Sequence, residues 1–493
     1  MKVALVASEA SPFAKTGGLA DVVGSLPRAL SQLGCDVKVF IPKYSVIDEA
    51  KYDLHYEYAI GEMPIRVSGV PWPVHVQRSL LPGSPVEIYF IDCPYFFHRE
   101  SIYTNDPDEG DRFILFDKAV IEILQRLQWA PDVVHCNDWQ TALIPVFLKE
   151  NYKWDALFDR TASLLCIHNI GYQGLFPPSL VQAAELNPDL FYPGGPLEFN
   201  GAMCFLKAGI LYSEIISTVS ETYAHEILTS EYGAGMENIL RTRARDLLGI
   251  INGIDDDTWN PETDRFLPYT YSMSDLDGKL KNKAFLLMNT GHEFHEDRPV
   301  IGIVSRLVSQ KGFDLVAESI DDLMALGAQW VVLGSGEQQY ENLFASMAHS
   351  LPQKVWAYIG FNNELAHLIE AGSDVFLMPS QYEPCGLNQM YSLRYGTVPI
   401  VRKTGGLADT VHDWDEYKAQ GLDIGNGFSF IDATGYAMST CLYRALEAFK
   451  DKPLWQRIMV NGMRRDFSWK ASAKKYVALY EKAMARKREG TVA

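Results

Sequence analysis

The sequence predicts an α/β protein made of two doubly wound domains, each a parallel sheet covered by helices. Three observations carry this reading. Short β-branched and aromatic runs recur at residues 3–7, 37–41, 86–91, 133–135, 163–167 and 215–219. Helix-length amphipathic segments, including 21–32 and 112–127, lie between several of them, which is the rhythm of βαβ units. The rhythm restarts at 300–304, 330–333, 355–359, 375–378 and 398–401. Between the halves, residues 250–264 (IINGIDDDTWNPETD) concentrate the Asn, Gly, Asp and Pro that turn a chain out of regular structure, so the domain crossing belongs there.

The 493 residues exceed what one hydrophobic core organises at about 150 residues per domain. A composition of 47% hydrophobic and 22% charged residues is that of an ordinary globular chain. The formal charge of -18 argues against general attraction to nucleic acid or to an anionic membrane, so any phosphate site has to be local. Seven cysteines, an odd number without a CxxC pair, argue against a disulfide framework or zinc ribbon and fit a reducing compartment. No apolar run approaches the ~20 residues a membrane span needs. The opening MKVALVA reads as a buried first strand, because Ser8, Glu9 and Ser11 interrupt it too soon for a leader. At the other end, Tyr476, Val477, Leu479, Tyr480 and Ala483 recur at helical spacing ahead of Arg486, Lys487 and Arg488, which predicts an amphipathic helix over 472–490.

One repeat is identical: KTGGLAD stands at 15–21 and again at 403–409. It suggests that matching strand-to-helix loops of the two domains face one cleft, since open α/β sheets bind ligands at strand carboxyl ends; chance similarity of Gly-rich turns is the alternative. Lys15, Thr16, Gly17 and Gly18 follow the first strand and precede a helix, where glycines let backbone amides approach a phosphate. The four residues match neither GxxxxGK[ST] nor GxGxxG, and they equally suit a tight turn.

Arg306 and Lys311 come directly after the strand at 301–304. A guanidinium and an ammonium there suit a diphosphate and can stabilise a departing nucleoside diphosphate; a solvated basic loop is the plainer reading. Glu383, in EPCGL after the strand at 375–378, can bind sugar hydroxyls or support positive charge at an anomeric carbon, although an acid there also suits a helix N-terminus. Cys385 reads as inert packing. His168 and Asn169 end another strand and lead into Gly171, Tyr172, Gln173 and Gly174, a polar aromatic loop suited to carbohydrate. His292 and His295 form HExH rather than HExxH, so no metal site is expected.

With these pieces in place, the chain resembles bacterial glycogen synthases and plant starch synthases from Lys2 to about Tyr480. The motifs are SEASPFAKTGGLADVVGSLP at 8–27, HCNDWQT at 135–141, HNIGYQG at 168–174, VSRLVSQKG at 304–312, EPCGL at 383–387 and KTGGLADTV at 403–411. The resemblance implies a GT-B fold: an acceptor-side domain over 1–247, a nucleotide-sugar domain over 248–471, a helix over 472–493 crossing back onto the first domain, and the active site in the cleft. It also implies ADP-glucose as donor, the non-reducing end of an α-1,4-glucan or maltooligosaccharide as acceptor, and retention of configuration without metal or cofactor.

Carried over residue by residue, the resemblance gives Arg306 and Lys311 the donor phosphates, with Lys15 and the backbone of Gly17 and Gly18. Glu383, His168 and Asn252 contact the transferred glucose, Gly386 and Leu387 border the donor, and Asp21, Asp138 and Tyr95 lie toward the acceptor. Phe361 stands where many relatives have tyrosine, which keeps stacking on adenine but loses a hydroxyl. Asn388 stands where threonine is common and keeps a polar donor for the distal phosphate. A front-side attack, assisted by the leaving phosphate, and domain closure that excludes water complete the expected mechanism. The expected location is the cytoplasm or a plastid stroma, with possible association with glucan granules. Two other readings are weighed against this one. A glucan phosphorylase would need pyridoxal phosphate, for which no cofactor-lysine context stands out; a non-catalytic glucan-binding protein would not need Lys15, Arg306, Lys311 and Glu383 together.

Overall fold

The computed structural model describes residues 1–491, which form two compact units. The first comprises residues 1–253 with 469 onward, and the second residues 254–468. These divisions replace the expected 247/248 and 471/472. Ile250 N still donates to Thr218 O of the first sheet, and Ser472 Oγ donates to Ile251 O, so both flanking stretches belong to the first unit.

In the first unit, seven parallel strands are β1 (Lys2–Val6), β2 (Asp36–Pro42), β3 (Glu87–Asp92), β4 (Val133–Asn137), β5 (Ala162–Ile167), β6 (Ile215–Thr218) and β7 (Leu247–Gly249). Across the sheet they run β3, β2, β1, β4, β5, β6, β7. Strands buried on both faces read as continuous apolar runs, which is why residues such as Val3, Leu5, Leu164 and Ile216, all fully buried, marked them in the sequence. Burial of each such side chain stabilises by roughly 1.5–3 kcal/mol. Beyond β3 the sheet continues as an antiparallel edge through Val70–Leu80, which also pairs with Met63–Val67. The sequence reading missed this edge. Pro71 and Pro73 interrupt its pattern, and proline is tolerated only where no ladder hydrogen bond is needed.

The last helix, Trp469–Thr491, packs on this unit. Its Tyr476, Leu479, Tyr480 and Ala483 are buried in the first core, and the Tyr480 hydroxyl meets His135 Nδ1 of β4 at 2.9 Å.

The second unit has six parallel strands: β8 (Val300–Leu307), β9 (Gln329–Gly336), β10 (Val355–Ile359), β11 (Val375–Met378), β12 (Val398–Arg402) and β13 (Phe428–Phe430). Their order is β10, β9, β8, β11, β12, β13. Both sheets therefore reverse direction beside their own first strand, between β1 and β4 and between β8 and β11. Loops that leave such strand ends in opposite directions open a crevice, the usual ligand position in doubly wound sheets. Among the described residues, no helix is long and apolar enough to cross a membrane.

Candidate active site

At the switch point of the second unit, the loops after β8, β11 and β12 interlock. Gly312 ends the β8 loop at φ +74°, and a Cβ there would lie 1.9 Å from Pro379 O, so only glycine lets the β8 and β11 loops touch. Gln381 N donates to Gln310 O at 2.8 Å across the same seam. Lys311 Nζ then reaches Glu383 Oε2 at 2.6 Å, and Ser380 Oγ donates to the same oxygen at 2.9 Å. Glu383 is only 6% exposed. The second KTGGLAD copy supports it from β12: Gly406 N donates to Glu383 O at 3.0 Å. Arg306, at the end of β8, is exposed, and its guanidinium has no partner among the described residues. One free and one carboxylate-paired cation thus stand at the end of β8, the pairing carboxylate coming from the end of neighbouring β11, an arrangement able to receive a diphosphate.

Gly386, at φ +70°, and Leu387 lead into the helix Asn388–Arg394. Asn388 Nδ2 donates to Val304 O at 2.6 Å, which ties that helix to β8 and uses one of its two amide hydrogens. Phe361, after β10, is 82% exposed, a free aromatic face.

In the first unit, the ends of β1, β4 and β5 are joined by one polar chain. Asn137 Nδ2 donates to Val6 O at 2.9 Å, leaving Asn137 Oδ1 to accept from His168 Nε2 at 2.9 Å. The network assigns the His168 proton to Nε2 and leaves Nδ1 as an acceptor. Burial pushes the His168 pKa down to about 4, so the ring is neutral near pH 7. Asp138 has φ +57° and ψ -172°, a conformation almost reserved for glycine, which costs about 1–3 kcal/mol. It is held there by its own N–H on Cys166 O at 2.9 Å, while its carboxylate accepts from His168 N at 2.7 Å and from the Asn169 amide. Burial raises the Asp138 pKa to about 7 despite those two amides.

Lys15 and Asp21, assigned by resemblance to opposite substrates, form an ion pair at 2.6 Å. Gly17 is the residue before the helix Gly18–Gln32, and its N–H is turned toward Glu9 Oε2 at 3.4 Å. Gly18 opens that helix. Asn252 is 5% exposed and its Oδ1 has no hydrogen-bond partner among the described residues. Tyr95 is 61% exposed and stacks on Trp72 with centroids 4.4 Å apart. A cavity of about 420 Å³ opens beside the loop that follows His168, with Trp139, Tyr172 and Phe176 as aromatic walls and Asn105, Asp106 and Gln173 as polar ones. Flat apolar faces edged by amides and a carboxylate suit a sugar chain.

Sequence reasoning missed Glu9, Ser380, Asn137 and Tyr103 as parts of these sites. Ser380 and Asn137 lie within a few residues of strand ends and were legible in principle. Glu9 lies close to the end of β1 and to its partners Thr16 and Gly17, so it too was legible in principle; Tyr103 was not, because it meets Glu9 from a loop 94 residues away.

The starch synthase catalytic domain model matches residues 2–242, and the model of glycosyl transferases group 1 matches residues 289–429. A glycogen synthase of Thermotoga maritima is 46% identical over 489 residues, covering 99% of each chain. The chain belongs to the glycogen and starch synthase family. Another family member, the glycogen synthase of Desulforudis audaxviator, is 45% identical and covers 99% of this chain and 97% of its own. The catalytic domain of starch synthase IV from Arabidopsis thaliana, solved bound to ADP and acarbose, superposes with a TM-score of 0.90 at 34% identity, over 98% of this chain and 99% of that one. The fold of this family member is therefore GT-B. A sucrose-phosphate synthase from Thermosynechococcus elongatus, at 16% identity and a TM-score of 0.60, shares the fold alone.

Proposed function

We propose that the protein transfers glucose from ADP-glucose to the non-reducing end of an α-1,4-glucan with retention of configuration, as a cytoplasmic enzyme. The observation that carries the reading is the Lys311 to Glu383 contact of 2.6 Å at the switch point of the second unit, beside the unpaired Arg306.

The two cations have separate tasks. Arg306 binds the donor diphosphate in the ground state, and Lys311, now balanced by Glu383, turns to the phosphate as charge grows on it. Lys15 and the Gly18 amide add positive potential for the same group. Glu383, released from Lys311, supports the positive charge that develops at the anomeric carbon. The bond from that carbon to the phosphate oxygen breaks, and the bond to the acceptor hydroxyl oxygen forms on the same face. The hydroxyl proton passes to the departing phosphate, so the reaction needs neither an enzymic nucleophile nor a cofactor, and no metal. Phe361 stacks on the adenine. His168, Asn252 and Asp138 bind sugar hydroxyls, with His168 Nδ1 and Asn252 Oδ1 as open acceptors. Tyr95 and the aromatic cavity take the glucan chain.

Transfer from radiolabelled ADP-glucose, with UDP-glucose in parallel, to maltooligosaccharide in the presence of chelator tests this directly. Elongation that prefers the ADP donor is the expected result. A UDP preference overturns the donor, and activity lost on chelation overturns the metal-free mechanism.

A further inference from the structure

Glu9 is a buried carboxylate, 3% exposed, just past the end of β1. Its Oε2 accepts from Thr16 N at 2.5 Å, Thr16 Oγ1 at 3.0 Å and Gly17 N at 3.4 Å, and its Oε1 accepts from the Tyr103 hydroxyl at 3.3 Å. The helix that begins at Gly18 has glycine as its N-cap and no side-chain cap of its own. Glu9 places its anion against the turn just before that helix, where the macrodipole favours negative charge. The amides of Thr16 and Gly17 are thereby engaged from inside the protein. Among the described residues, no hydrogen bond engages the amides of Gly18 and Leu19.

The second copy of the same seven residues is anchored at its fourth position. At residues 403–409 the fourth residue of the repeat is held by main-chain oxygens, with Gly406 N donating to Glu383 O at 3.0 Å and to Pro384 O at 3.2 Å. In the first copy the Glu9 carboxylate holds the second and third residues.

We infer that Glu9 is a positioning residue for donor binding: by tying down the Thr16 and Gly17 amides it orients the 15–18 loop so that Lys15 and the Gly18 amide face the donor phosphates. Glu9 does not itself touch the donor. Tyr103 adds a second anchor, since its hydroxyl also lies 2.7 Å from Ser8 Oγ. The inference rests on the proposed ADP-glucose chemistry, which the wild-type enzyme checks separately.

The experiment measures ADP affinity by calorimetry, and KM and kcat for ADP-glucose and for maltooligosaccharide, in wild type and in Glu9→Ala, Glu9→Asp and Glu9→Gln. Glu9→Ala is expected to weaken ADP binding on the order of tenfold, the loss of a charge-assisted contact, and to raise the ADP-glucose KM in step. The maltooligosaccharide KM stays unchanged. Glu9→Gln, whose amide oxygen still accepts from both N–H groups, recovers ADP affinity to within about threefold. Should Glu9→Ala not fold, Glu9→Asp reads the same contacts, because it keeps the charge and withdraws it by one methylene. Its ADP affinity is expected to fall as well. ADP affinity unchanged in the folded Ala or Asp variant overturns the inference. So does a parallel rise in donor and acceptor KM that Gln does not relieve, the signature of general damage to the first unit. Wild-type enzyme that fails to use ADP-glucose overturns the proposed function instead.

Discussion

Lys311 Nζ and Glu383 Oε2 lie 2.6 Å apart at the ends of neighbouring strands; in the proposed mechanism the first charge turns to phosphate and the second to the anomeric carbon. Because each balances the other before substrate binds, their removal has different consequences. Glu383→Ala is expected to lower kcat by roughly 100-fold or more with little change in ADP affinity, whereas Lys311→Ala impairs both, since phosphate charge is present in the ground state and grows on departure. Steady-state kinetics with ADP calorimetry separates the two; near-normal turnover in Glu383→Ala would remove that residue from the mechanism.

Gly405 has φ +45°, and a Cβ there would lie 2.0 Å from Glu383 O. Gly405→Ala is therefore expected to displace the Glu383 loop and lower turnover as well as stability. Gly421 provides the control, with φ +75° and no atom within 4 Å of where a Cβ would stand. Gly421→Ala incurs only the left-handed strain of about 1–2 kcal/mol and keeps its activity. Thermal melts and assays of the pair distinguish backbone strain from displacement of the carboxylate.

Phe361 is 82% exposed, so its ring contributes little to the fold. Phe361→Ala is expected to shift stability by less than about 0.5 kcal/mol while raising the ADP-glucose KM about 3- to 10-fold, the value of one stacking contact. A melting curve beside a donor titration checks both halves, and an unchanged KM would take adenine away from this side chain.

His135 is fully buried, and burial pushes its pKa from the ordinary 6.5 down to about 3. The unfolded chain binds a proton below pH 6.5 while the folded ring stays neutral until about pH 3, so this residue destabilises the fold progressively as pH falls across that window. At pH 5 the penalty is about 2 kcal/mol. Urea unfolding from about pH 5 to 7.5 is expected to show a shallower acid-side loss in His135→Gln than in wild type. Equal slopes would mean that the ring is already charged in the folded state.

Much of the architecture was legible because fully buried parallel strands have to be apolar throughout. The runs at 355–359 and 375–378 coincide with β10 and β11, and most others fall within a residue or three of the observed strands. The edge strand Val70–Leu80 was illegible for the complementary reason: on an edge, prolines are permitted, and they erase the pattern. The candidate site was legible as motifs at strand ends, but not as contacts. Nothing local in EPCGL says that Ser380 and Lys311 share one oxygen of Glu383, and nothing local in HCNDWQT says that Asp138 is held in a glycine-like conformation.

The two KTGGLAD copies mark the division most plainly. By itself the sequence determined that each would follow a buried strand and begin a helix, because glycine pairs and apolar periodicity are local properties. Only the tertiary structure decided their partners: Lys15 on Asp21 with Glu9 behind the loop in one copy, Lys403 on Glu416 with the Glu383 carbonyl behind it in the other. Charge pairing and amide satisfaction depend on which acceptors the fold brings within hydrogen-bond reach, and the seven shared residues do not by themselves choose between Asp21, inside the first copy, and Glu416, beyond the second.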